Sequence, residues 1–173
     1  MGYINSKDKG IYGHLHKINI LNQSKEDLIK LTKNRVSKFK FLAESKDYVL
    51  MEDRIYKGIS IYSKQNSVRL GSLRLETPFV GSSFHNGKLY LIQQNIDDEK
   101  AFLSVFSVPK LKFLKQIDIE EIIHPGRFGG DAVLYSTPVD KGAILVTCKN
   151  IIKISYNGII DNTMPHYLSC HHV

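Results

Sequence analysis

The chain has 173 residues, of which 42% are hydrophobic and 24% are charged, a composition typical of a globular protein with a core of its own. No apolar run approaches the roughly 18 residues of a membrane-spanning helix, and the first ten residues lack the apolar stretch of a secretory signal. We therefore expect no membrane span and no export signal in the chain as written.

The net charge of +7 is concentrated in the first half of the chain. Residues 1–87 carry 15 basic against 8 acidic side chains, whereas residues 88–173 carry 9 of each. A basic half is compatible with nucleic-acid binding. In Lys38-Phe39-Lys40-Phe41, however, lysines alternate with apolar residues, which is typical of the solvated face of a strand. We therefore disfavour nucleic acid as a partner and keep a basic nucleic-acid-binding β domain as an alternative.

Residues 1–35 are predicted to form an N-terminal segment with one strand and one short helix. The strand lies between Ile11 and Leu21, and the helix opens at Ser24. Ser24 can cap the backbone N–H groups of a first helical turn, and Asp27 stands three residues on, as in a capping box. Leu28, Ile29 and Leu31 supply the apolar side of this helix.

The remaining chain consists of short apolar-rich runs separated by turn residues such as Asn86-Gly87. Three runs that alternate apolar and polar residues begin at Ile59, Leu103 and Ile152, which are 44 and then 49 residues apart. A period of roughly 40–50 residues with three or four short strands is typical of β-propeller blades. A β-sandwich or barrel is the alternative. We predict an all-β fold of repeated antiparallel sheets, a partial propeller of about three blades over residues 36–164, and a tail over 165–173.

The run SVPKLKFLKQI, from Ser107 to Ile117, leads into a glycine-rich loop and a new strand. This arrangement resembles the bacterial six-bladed, TolB-like propeller proteins, in which a loop of the form G-R-G-P-x-E follows such a strand. Gly126-Arg127 and Gly129-Gly130 stand at that place here, although the proline precedes the loop and no glutamate closes it. Many members of that family are exported lipoproteins without assigned activity. The resemblance therefore implies a place in the bacterial cell envelope.

Four residues near blade boundaries are candidate ligand-binding residues: Arg127, His124, His85 and Asp131. Arg127 lies in the glycine-rich loop and could bind a carboxylate or phosphate with help from backbone N–H groups. The alternative is a turn residue that points to water. The sequence contains no nucleophile elbow and no metalloprotease motif, so no catalytic residue and no cofactor is predicted.

The last residues contain a cluster of metal-ligand types, H-x3-C-H-H, formed by His166, Cys170, His171 and His172. Because a free chain end must lose conformational entropy to form a site, we predict that this cluster does not bind metal tightly. A disulfide between Cys148 and Cys170 stays open on the sequence alone.

These patterns predict a non-enzymatic module that binds a protein or a small ligand through the loops at the ends of its blades. An enzyme with its site in the channel of a completed propeller is the alternative. Three blades are too few, since propellers close with 4–8. We therefore expect a second copy of the chain, or further blades, to complete the fold.

Overall fold

The computed structural model describes residues 2–7, 12–18, 21–22, 24–32, 39–53, 58–126 and 130–166. These residues form fifteen strands: β1 Gly2–Lys7, β2 Tyr12–Ile18, β3 Lys25–Thr32, β4 Phe39–Glu44, β5 Tyr48–Asp53, β6 Gly58–Ser63, β7 Arg69–Arg74, β8 Phe79–His85, β9 Lys88–Asn95, β10 Lys100–Ser107, β11 Lys112–Asp118, β12 Val133–Val139, β13 Gly142–Thr147, β14 Asn150–Ser155 and β15 Ile160–Pro165. No helix occurs among the described residues, and thus none that could cross a membrane.

The strands pair into four antiparallel sheets among the residues that the structure describes. Sheet 1 has the order β1-β2-β3, sheet 2 β4-β5-β6-β7, sheet 3 β11-β10-β9-β8, and sheet 4 β12-β13-β14-β15. In every sheet each strand pairs with its neighbour in the chain, which is the up-and-down order of a propeller blade. The all-β fold with blade-like sheets is therefore confirmed, with sheet 1 added to the three sheets that the repeat predicted.

The predicted N-terminal helix at Ser24 is wrong, because Lys25–Thr32 is strand β3. A register shift opposite Leu15 and His16 leaves one extra residue in β3. This bulge lets neighbouring apolar side chains of β3 turn inward, so the apolar spacing that resembled a helical face fits a bulged strand. A helix of two or three turns has little stability alone, whereas a third strand pairs its backbone with β2 and joins the core.

The three alternating runs occupy equivalent strands, as their spacing predicted. They lie in β6, β10 and β14, each the third strand of its sheet. The register corrects the alignment of sheets 3 and 4 by one residue. In β10 the ladder shifts two residues after Leu103, and in β14 it shifts two residues after Ile151. Leu103 is therefore equivalent to Ile151, not Ile152, and a difference of one residue changes the face to which a side chain points.

The final strand is also longer than the sequence suggested. In the sequence only Ile159-Ile160 continues the apolar pattern before polar residues and Pro165, whereas β15 runs from Ile160 to Pro165 and pairs with β14 along its length. Thr163 and its polar neighbours are exposed, so β15 carries little of the apolar pattern by which a strand is found in sequence.

The chain divides into two compact units, Met1–Leu75 with Pro109–Leu111, and Glu76–Val108 with Lys112–Val173. The predicted boundaries at residues 35 and 164 stay a prediction. The first unit has a core between sheets 1 and 2, built from Leu15, Leu28, Ile29, Leu31, Val49, Met51 and Tyr62. The second has a core between sheets 3 and 4, built from Tyr90, Ile92, Ala101, Leu103, Val105, Ile119, Ile123, Val133, Ala143, Leu145, Ile152, Ile154 and Tyr156.

An ion-pair cluster links the two sheets of the first unit. The Glu44 carboxylate at the end of β4 accepts hydrogen bonds from Lys17 on β2 and, at 2.6 Å, from Lys64 after β6. Only 15% of the Glu44 side chain is exposed. Burial raises the pKa of Glu44, but the two lysine ammonium groups outweigh burial and hold the pKa below its ordinary value of 4.5.

We predict that Glu44→Gln lowers the free energy of unfolding by about 1–2 kcal/mol at neutral pH. The depressed pKa places this contribution above pH 4.5, and the contribution is lost as the pH falls through the pKa of the folded state. Urea unfolding at several pH values measures it. Glu76→Gln, which alters an exposed carboxyl group, is the control. A Glu44→Gln deficit that is the same at neutral and acid pH would contradict the assignment.

Candidate functional site

An open cleft lies at one end of sheets 3 and 4, where β9 and β11 finish and the chain crosses to β12. Its volume is about 1050 Å³, which includes space continuous with the surrounding solvent. Its lining, called the acidic cleft below, consists of Asp98, Glu99, Glu120, Glu121, His124, Pro125, Gly126 and Gly130. Four carboxylates and one imidazole supply the ionisable groups of this described lining.

The turn between β9 and β10 places the first pair of carboxylates. The Asn95 side chain accepts the Asp97 backbone N–H at 3.0 Å and donates its amide N–H to the Asp98 carboxylate at 2.6 Å. Glu99 has a φ of 55°, and its carboxylate oxygen lies 3.2 Å from where a Cβ on Gly126 would stand. A side chain at position 126 would therefore crowd the Glu99 carboxylate across the cleft.

The connection after β11 places the second pair of carboxylates. The Asp118 side chain accepts the Glu120 backbone N–H at 2.8 Å, and the Ile119 carbonyl accepts the N–H groups of Ile122 and Ile123 at 2.9 Å each. Ile119 and Ile123 are buried in the core of the second unit, and their side chains anchor the turn to that core. Glu120 and Glu121 are left on the solvent side.

Asp131 holds the far wall of the cleft. It is only 6% exposed. Its carboxylate accepts the Lys149 backbone N–H at 2.7 Å and the Asn150 side-chain amide at 2.9 Å, and its own N–H donates to the His124 carbonyl at 2.6 Å. The predicted ligand residue Asp131 therefore positions His124 through the backbone and ties the loop to the β13–β14 turn.

The loop also depends on a glycine at position 130. A Cβ at Gly130 would stand 2.2 Å from the Gly126 nitrogen and 2.6 Å from the His124 carbonyl oxygen. Both distances are shorter than atoms tolerate, so any larger residue would push the loop apart. The glycine-rich composition noted in the sequence serves this close approach.

A buried amide clamp joins sheet 3 to sheet 4 beside the cleft. Gln94, the next-to-last residue of β9, is 8% exposed. Its side-chain oxygen accepts the Val133 backbone N–H at 2.9 Å, and its amide N–H donates to the Val133 carbonyl at 3.0 Å. The Gln94 side chain therefore satisfies both backbone groups of the first residue of β12, as a paired strand would.

The other predicted site residues lie elsewhere. His85 ends β8 at the opposite end of sheet 3, with its ring centroid 5.0 Å from that of Tyr156. Burial raises the pKa of Tyr156, whose hydroxyl lies 2.7 Å from that of Ser83. The small cavity lined by Tyr90 and Tyr156 has room for about one water. His85 and His124 therefore do not share a site, and Arg127 lies outside the described residues.

Of the C-terminal histidine and cysteine cluster, the structure describes His166. Its imidazole donates from Nε2 to the Thr147 carbonyl at 2.9 Å. Cys170, His171 and His172 lie outside the described residues, so metal binding at this cluster stays a prediction, as does the Cys148–Cys170 disulfide.

The sequence did not single out the four carboxylates of the cleft. In the sequence Asp98 and Glu99 belong to an acidic triplet with Asp97 that is typical of a solvated turn, and Glu120 and Glu121 open the long connection to β12. A topological signal was available, because β9 and β11 run in the same direction in an antiparallel sheet and therefore finish at the same end.

Comparison with known proteins supports the fold and does not identify a function. No protein-family model and no curated protein matches the chain. Solved structures do match. Dihydro-heme d1 dehydrogenase NirN in complex with DHE has a TM-score of 0.55 and 14% identity, over 94% of this chain and 35% of that one. Glutaminyl cyclase from Myxococcus xanthus has a TM-score of 0.55 and 11% identity, over 87% and 61%.

BamB from Moraxella catarrhalis is similar at a TM-score of 0.53 and 7% identity, over 93% of this chain and 47% of that chain. All three are β-propeller proteins. The chain thus spans between about a third and about three fifths of the length of these structures. At such identities the similarity shows the fold alone.

We predict that Gln94→Met lowers the free energy of unfolding by about 2–4 kcal/mol, because it keeps the side-chain volume and leaves two buried backbone groups of Val133 without partners. Urea unfolding measures the loss. Gln116→Met, the same change at an exposed position of β11, is the control and should alter stability by less than about 0.5 kcal/mol. Equal effects at the two positions would contradict the clamp.

Proposed function

We propose that the chain is a non-enzymatic binding module whose recognition surface is the acidic cleft. The observation that carries the proposal is an open concavity with four carboxylates, held by turns whose backbone groups are already paired. A surface ordered before binding loses less conformational entropy when a ligand arrives. The position at the end of two blade-like sheets supports recognition by blade-end loops.

The chemistry of the lining favours a cationic ligand, such as a lysine- or arginine-rich segment of a protein partner. The chain as a whole has a net charge of +7, so this surface is a local reversal of sign. A solvent-exposed ion pair contributes about 0.2–1 kcal/mol, and several carboxylates together are needed for useful affinity. The same lining disfavours a nucleic-acid backbone at this surface.

The predicted site residues take different parts in this proposal. His124 lines the cleft, and Asp131 fixes the loop that carries it. Arg127 follows Gly126 in the sequence and keeps its proposed role toward a carboxylate or phosphate, which Arg127→Ala tests separately. His85 belongs to another surface. A TolB-like six-bladed parent fold stays part of the proposal; because the structure describes four sheets, two further blades would complete it, whereas a second copy would give eight.

We predict that a fluorescently labelled lysine-rich peptide binds the chain at low ionic strength and that a glutamate-rich peptide does not. Anisotropy titrations measure both. Glu120→Gln and Glu121→Gln together should weaken binding about two- to twenty-five-fold, since each ion pair contributes about 1.4- to fivefold. Added salt should weaken it further.

Asp140→Asn, at the opposite end of sheet 4, is the matched control because it removes a carboxylate without touching the cleft. Two results would overturn the proposal. One is the absence of lysine-peptide binding at low salt, and the other is a loss of affinity that is as large in Asp140→Asn as in the Glu120→Gln/Glu121→Gln variant.

A further inference from the structure

Sheet 4 carries a row of apolar side chains across one face, from edge to edge. Tyr135 on β12 is paired with Val146 on β13, Val146 with Ile151 on β14, and Ile151 with Met164 on β15. Directly paired residues of an antiparallel sheet point to the same face. Tyr135 is 61% exposed and Met164 58%, whereas Val146 and Ile151 are half-buried. This face is called the open face of sheet 4 below.

The other face of sheet 4 is the one that enters the core. Leu145 and Ile152, the neighbours of Val146 and Ile151 along their strands, are paired with each other and fully or almost fully buried. They belong to the core between sheets 3 and 4. The open face is therefore turned away from sheet 3.

Sheet 3 has an equivalent row, and there the row is covered. Gly81 is paired with Ile92, Ile92 with Leu103, and Leu103 with Ile117. The pairing of β8 with β9 has a register shift just before Gly81, and the pairing of β12 with β13 has one just before Tyr135. The third strands of the two sheets, β10 and β14, each have a further shift, two residues after Leu103 and two residues after Ile151.

The equivalent rows therefore occupy the same places in their blades, and their environments differ. In sheet 3 Ile92 and Leu103 are at most 5% exposed, because sheet 4 packs on them. The apolar row on the open face of sheet 4 has the composition of such an interior surface, and its outer members Tyr135 and Met164 stand in solvent. Contiguous apolar surface of this kind marks an interaction site.

We infer that the open face of sheet 4 binds the open face of sheet 4 in a second copy of the chain, around a twofold axis. A head-to-tail contact would need a complementary face at the other end of the chain, in sheet 1. On β3 the exposed side chains that the structure describes on the face away from sheet 2 are charged: Lys25, Asp27 and Lys30. An apolar face is complementary to its own copy and not to these charges.

Charge does not oppose a contact between two open faces. Lys153, on the same face two residues from Ile151, is the charged residue of β14, and its ammonium pairs with the Asp161 carboxylate at 3.2 Å. The pair is net neutral and lies beside the apolar row. Lys153 is paired with Ile144 on β13 and Asn162 on β15, so the contact covers an ion pair whose charges already cancel.

The size of the face fits a weak dimer. Four strands of six or seven residues make a face of about 19 by 20 Å at ordinary strand spacing and rise. Side chains add to this flat footprint, so the contact buries on the order of 600 Å² per copy, at the lower end of specific interfaces. A reversible dimer is expected. This inference does not depend on ligand binding at the acidic cleft.

Sedimentation velocity over a range of chain concentrations tests the inference. The mass should rise from one copy to two as the concentration increases, and Met164→Lys should raise the dissociation constant at least tenfold, because the substitution acts twice in a twofold interface. Leu114→Lys is the matched control, since Leu114 is an exposed apolar residue on β11 of sheet 3 and should leave the dimer unchanged.

A second readout locates the contact. The chain contains no tryptophan, so Tyr135→Trp and Leu114→Trp each give a single reporter. Emission of the Tyr135→Trp variant should shift to shorter wavelength as the dimer forms, while that of Leu114→Trp stays constant. A chain that stays monomeric at all concentrations overturns the inference. So does a dimer that Met164→Lys does not weaken or that leaves the Tyr135→Trp emission unchanged.

Discussion

The buried pairing of the Gln94 side chain with the backbone of Val133 is the constraint on which the second unit depends. The core between sheets 3 and 4 is apolar and holds the sheets together without fixing how far one slides along the other. Two hydrogen bonds to one residue do fix that position. They set where β12 begins, and the loop that precedes β12 must then close over the ends of β9 and β11.

Closure of that loop gives the acidic cleft its shape. Asp131 binds the β13–β14 turn and the His124 carbonyl, and Gly130 allows the loop to approach itself closely. These polar groups are buried and paired, and their geometry is therefore hard to change without loss of stability. Glu120 and Glu121 make no contribution of this kind. The second unit thus keeps these structural contacts inside and leaves the Glu120 and Glu121 carboxylates to line the cleft, as a binding surface requires.

The sequence predicted what depends on local pattern. Alternating runs predicted β6, β10 and β14, the third strands of sheets 2 to 4, and Asn86-Gly87 forms the β8–β9 turn with φ values of 47° and 68°, as a tight hairpin turn needs. The structural features that depend on β-bulges were not predicted. One extra residue in β3 made a strand resemble a helix, and the run that begins at Ile152 is one residue out of register with Leu103, whose equivalent is Ile151. The cleft was missed because its carboxylates are distant in sequence and meet only through strand direction.

A map of backbone amide chemical shifts during titration with a lysine-rich peptide tests most directly whether the acidic cleft is the recognition surface. The amides of Asp98, Glu99, Glu120 and Glu121 should shift in proportion to occupancy, while those of His85 and Tyr156 at the opposite end stay in place. Shifts confined to that opposite end, or to the first unit, would contradict the assignment of the acidic cleft as the recognition surface.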